Sequence, residues 1–99
     1  MKIIGDLDNK LCFMVRFYNI NGEITDKISF SADEVEEDYI KAYSKAKDYF
    51  NINKDIPATI IKGYFIDIEK EVMEYSRRWE IGNNKEGNTQ VISEVKYHF

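Results

Sequence analysis

An α+β domain, with a single antiparallel or mixed sheet of about five strands and one helix on one face, is predicted from three observations. A capped, one-sided helical pattern occupies residues 31–50, period-two alternation flanks it on both sides, and an Asn-Gly pair interrupts the first alternating region where a hairpin would turn. The expected order is β-β-α-β-β-β in one domain covering 1–99, a length that suits a single core.

Several signals agree on the helix. Ser31 and Glu34 stand at the spacing of a reciprocal capping box, in which each side chain bonds the other residue's amide. Val35, Tyr39, Ala42, Tyr43, Ala46 and Phe50 then recur at helical spacing as an apolar stripe. Carboxylates crowd the start (Asp33, Glu34, Glu36, Glu37, Asp38) and lysines come after them (Lys41, Lys45, Lys47), so both ends complement the helix dipole.

The first strands are read from Leu11, Phe13, Val15 and Phe17, which alternate with Cys12, Met14, Arg16 and Tyr18, and from Ile24, Ile28 and Phe30 beyond Asn21-Gly22. Strands at about 10–20 and 23–30 should therefore pair through a type I′ turn, with a further short strand at 1–6 and a turn at Asp8-Asn9. After a polar loop at 51–55, residues 58–68 carry Ile60, Tyr64, Ile66 and Ile68 on one parity around Gly63. The same stretch also fits a second long helix at about 57–79, striped by Ile61, Phe65, Ile68, Val72, Tyr75 and Trp79. The strand reading is preferred because alternation resumes at Met73, Tyr75, Trp79 and Ile81 and again at Val91, Val95, Tyr97 and Phe99, with an Asn- and Gly-rich loop at 82–88 between them.

Composition excludes several function classes. A net charge of -4 argues against a duplex-binding protein, which needs a basic face. No apolar run approaches the about 20 residues of a membrane span, and residues 1–9 are too short in apolar content for a signal peptide. Cys12 is the only cysteine, so no internal disulfide forms and a reducing, cytoplasmic setting is expected, with the thiol buried and inert on a strand. The enrichment in Ile, Lys, Asn and Tyr fits an AT-rich genome, such as that of a low-GC bacterium or its mobile elements.

The catalytic inventory is thin. His98 is the only histidine and has no nucleophile at a suggestive spacing. Zinc takes about four Cys or His ligands. Cys12 with His98 supplies two. Neither Asp6 with Asp8 nor Asp67 with Glu69, Glu71 and Glu74 has the spacing of a calcium loop. The glycines are isolated, so there is no phosphate loop. No cofactor, no metal and no enzymatic activity are expected.

Two surfaces carry functional weight. Asp33, Glu34, Glu36, Glu37 and Asp38, together with Asp67, Glu69, Glu71 and Glu74, form two carboxylate clusters that would steer a basic protein partner. The expectation is a non-enzymatic interaction module: a small acidic inhibitor or accessory protein, from a bacterial mobile element or phage, acting on a nucleic-acid enzyme. The alternative is single-stranded nucleic-acid binding through sheet aromatics with Arg16, Lys62, Arg77, Arg78, Trp79 and Lys96. A homodimer through the C-terminal strand at 91–99 is a further expectation, because an edge strand leaves backbone groups open.

Overall fold

In the computed structural model, which describes residues 1–83, 86 and 88–96, the chain forms one mixed sheet with a helix on one face. The strands are β1 (Lys2–Ile3), β2 (Cys12–Tyr18), β3 (Ile24–Ser31), β4 (Ala58–Asp67), β5 (Val72–Asn83) and β6 (Thr89–Lys96), and the helix α1 is Tyr39–Tyr49. Their order across the sheet is β1-β3-β2-β4-β5-β6, antiparallel throughout except for β1 beside β3. The α+β expectation holds, with a sixth strand contributed by the short parallel edge. The alternative helix at 57–79 is replaced by β4 and β5, whose β-branched and aromatic residues suit a pleated surface. Gly63 explains their close approach: a Cβ there would lie 2.1 Å from the Glu74 carbonyl oxygen.

The helix is shorter than the 31–50 expected. Ser31 still caps a helical turn, but its hydroxyl accepts from the Asp33 amide at 3.3 Å, and the capped segment is a single 3₁₀ turn, Ala32–Val35. Glu36 and Glu37 then take left-handed backbone (φ 54° and 58°), and the Glu37 amide donates back to the Ala32 carbonyl at 2.9 Å, a Schellman-type close. Asp38 starts α1 afresh, accepting from the amides of Ile40 at 2.8 Å and Lys41 at 3.3 Å. A second capping side chain thus cuts the run in two. The apolar stripe nevertheless lies where the spacing placed it, since Val35, Tyr39, Ala42, Tyr43, Ala46 and Phe50 all join the main core.

The first hairpin also differs in detail. Gly22 has φ 77°, but Asn21 keeps negative φ, and the Gly22 amide donates to the Asn19 carbonyl at 3.0 Å. This is a three-residue loop with glycine at the left-handed position, tied by Asn19 Oδ1 accepting from the amides of Asn21 and Glu23.

Two cores sandwich the sheet. On the helix side Phe13, Phe17, Phe30, Ile28, Ile60 and Trp79 are buried under α1, with Trp79 stacked on Tyr39 at 4.6 Å and 10°. Large side chains buried in this way each stabilise the fold by roughly 1.5–3 kcal/mol. On the back, Leu7, Cys12, Met14, Ile61 and Met73 form a smaller cluster, covered by Met1, Phe65, Ile68 and Tyr75. Beside it a polar ladder runs across the sheet, in which Tyr18 and Thr59 share a 2.7 Å bond, Thr59 donates to Glu80 at 2.6 Å, and Arg78 Nε donates to Glu80 at 2.7 Å.

Candidate interaction surface

β4 and β5 are longer than the strands beside them, and that excess builds the surface. β2 pairs β4 only as far as Cys12↔Gly63, so Tyr64 to Asp67 extend past β2 with β5 as their partner. Ile68 to Glu71 close the hairpin: the Glu71 amide donates to the Ile68 carbonyl at 3.2 Å, the Lys70 amide to Asp67 Oδ1 at 3.1 Å, and Glu71 sits at φ 57°. Phe65, Ile68 and Met73 turn to the back cluster and anchor this tip.

The other side of the tip is bare. Tyr64, Ile66 and Val72 are 48 %, 70 % and 44 % exposed. The register sets Glu74 across from Tyr64 and Asp67 across from Val72. Asp67, Glu69 and Glu74 have no ionic partner among the described residues. An apolar centre rimmed by unneutralised carboxylates is a shape suited to binding protein, because apolar contact supplies affinity while charge selects the partner and speeds its capture.

The nine carboxylates expected to act together have different fates. Glu71 points away and accepts from Lys27 Nζ at 2.7 and 2.9 Å. In the first cluster Glu34 pairs with Lys45, Glu36 with Lys41 at 2.8 Å and Glu37 with Lys62 at 3.3 Å, while Asp38 is spent on its cap. Only Asp33 there is exposed without an ionic partner among the described residues. The Glu37–Lys62 pair brings the end of that cluster to β4 two residues before Tyr64, so the two acidic segments border the same apolar tip.

The basic and aromatic set divides between the two sides of the sheet. Pairing with Phe13 and Arg77 places Lys62 on the helix side, where its ammonium lies 6.0 Å over the Phe13 ring. Arg77 and Lys96 share that side, and Arg77 lies 3.9 Å from Glu94. Arg16 and Arg78 face the back, with Thr59 and Ile61. Trp79 is 2 % exposed and stacked within the core, as are Phe13 and Phe17, so none of these rings is open to a base. A bulge at Ser76 sends Tyr75 to the back, away from Arg77 and Trp79 on the helix side. Tyr97, His98 and Phe99 lie outside the described residues.

Among the described residues there is no group of three or more His, Cys, Asp or Glu side chains placed to hold a metal ion. No described helix is long and apolar enough to cross a membrane. Cys12 is fully buried, its thiol donates to the Lys10 carbonyl at 3.2 Å, and desolvation raises its pKa to about 11, so it is a poor nucleophile. A groove of about 260 Å³ runs between α1 and β6, lined by Tyr39, Ile40, Tyr43, Ile81 and Val91. It is crossed at one end by Asp55, which Lys47 holds below the ordinary carboxylate range and which accepts from Thr89 at 3.1 Å. Tyr64, Ile66 and Val72 were missed as surface residues by the sequence pattern, which put Tyr64 and Ile66 on the core parity. The signal that finds them is length, since eleven helical residues span about 16 Å and cannot cover a ten-residue strand crossing beneath them from end to end. No family model, curated protein or solved structure matches the chain.

Proposed function

We propose that the protein is a non-enzymatic interaction module that binds a protein partner through the β4–β5 tip. The observation that carries this reading is the exposed trio Tyr64, Ile66 and Val72 standing among Asp67, Glu69 and Glu74 on a hairpin whose other side is anchored in a core. A partner fitting it offers an apolar hollow with a basic rim. Nucleic-acid enzymes carry such basic surfaces to hold phosphates, which gives the narrower form of the proposal. In that form the protein is a small inhibitor or accessory factor, from a bacterial mobile element or phage, that works in the cytoplasm by occupying such a surface.

The experiment is capture of partners from a low-GC bacterial lysate by tagged protein, with and without nuclease, comparing wild type with Ile66→Asp. A protein retained after nuclease and lost with Ile66→Asp is the expected result. Retention that vanishes with nuclease would transfer the reading to nucleic acid, with Arg16 and Arg78 on the back as the residues to replace next. That second reading has less support, because among the described residues no exposed ring lies on the back with those arginines: Tyr18 and Tyr75 are half-buried there, and Tyr18 is tied to Thr59.

A further inference from the structure

The two edges of the sheet are unequal. One ends in β1, two residues long, whereas β6 presents eight residues of which seven are exposed, including Val91, Ile92 and Val95. An edge strand of this length offers a row of unpaired N–H and C=O groups to another strand. We propose that β6 pairs antiparallel with β6 of a second copy, about a two-fold axis through Val95.

Three constraints set the register. A bulge on β6 separates Val91 from Ser93, opposite Ile81 and Glu80, so the regular outer edge is Ser93 to Lys96. A two-fold relating antiparallel neighbours stands perpendicular to the joined sheet and leaves both helices on one side. Residues set across from each other must then share a face, and the axis passes through a residue rather than between two. Charge selects which residue. An axis at Glu94 sets Glu94 against its own copy, and one at Lys96 sets two ammonium groups together. At Val95 each Glu94 faces the other copy's Lys96 on the helix side, while the two Val95 side chains meet on the back. At Ser93 the bulge residue enters the pairing and interrupts it.

This association is independent of the hairpin surface, because β6 pairs only with the Arg77–Asn83 half of β5. The test is the oligomeric state of the whole chain, by sedimentation across a concentration series, for wild type, Glu94→Lys, Lys96→Glu and the double reversal. Wild type is expected to dimerise. Each single reversal creates two like-charge contacts and should weaken self-association about tenfold or more, and the double reversal should restore it. Mixing the two single variants should give a heterodimer in which every such contact is attractive. Circular dichroism shows that the variants remain folded. A wild type that stays monomeric throughout, or a dimer that neither reversal weakens, would overturn the proposal.

Discussion

The two ends of the β4–β5 pair carry similar apolar sequence and meet opposite fates. Toward Ala58 and Ile81 the helix side of these strands is sealed by α1, and Ile60 and Trp79 are almost without exposure. Toward Asp67 and Val72 the same side of the same strands is open, and Tyr64, Ile66 and Val72 face solvent. The difference lies in what covers the strands rather than in the strands themselves. Alternation marks a residue as belonging to a face, but whether that face is core or surface depends on the length and placement of another element.

Trp79→Ala should break the sealed end most severely, costing about 3–5 kcal/mol in denaturant unfolding. Trp79→Phe should cost far less, since the indole Nε1 has no hydrogen-bond partner among the described residues and its loss leaves nothing unpaired. At the boundary between the two ends, Gly63→Ala drives a methyl group into the β5 backbone and should cost about 1–3 kcal/mol. A smaller loss, about 1 kcal/mol, is expected for Asp38→Ala, which uncaps the helix that does the sealing. At the open end, Tyr64→Ala and Ile66→Asp should change stability by no more than about 0.5 kcal/mol. If either of these destabilises the fold as much as Gly63→Ala does, the open end is a core and the comparison collapses. The buried thiol provides a separate check: Cys12 should resist a thiol reagent at pH 8 in the folded protein and react at once on unfolding.

Much of the architecture was legible in the sequence. The stripe from Val35 to Phe50, the alternation of β2 and β3, and the β-branched and aromatic run of β4 around Gly63 all report local requirements that residue types express directly. The break at Glu36 and Glu37 was hidden because glutamate gives no sign of left-handed backbone, and Ser31 and Asp38 are equally good caps seven residues apart. Bulges at Ser76 and Ile92 hid the faces of β5 and β6, because one extra residue reverses the parity of every later position. One error was avoidable: adjacent strand residues point to opposite faces, so Arg77 and Arg78 do not join one patch with Trp79.

The acidic segments show the same limit. Carboxylates at 33–38 and at 67–74 are alike in composition, yet lysines at positions 41, 45 and 62 answer the first set, while among the described residues the cations that answer the second, Lys27 and the Met1 ammonium, both do so at Glu71. Sequence shows the carboxylates, but their neutralisation depends on contacts between distant elements, Lys62 with Glu37 and Lys27 with Glu71 among them.

Protein binding at the open end of the hairpin is decided by measuring, in nuclease-treated capture, the affinity of the recovered partner for wild type, Ile66→Asp and Asp38→Ala. Loss of about 30-fold or more with Ile66→Asp, at unchanged stability and with Asp38→Ala binding as wild type, is the predicted result. A partner held equally by wild type and Ile66→Asp would contradict it.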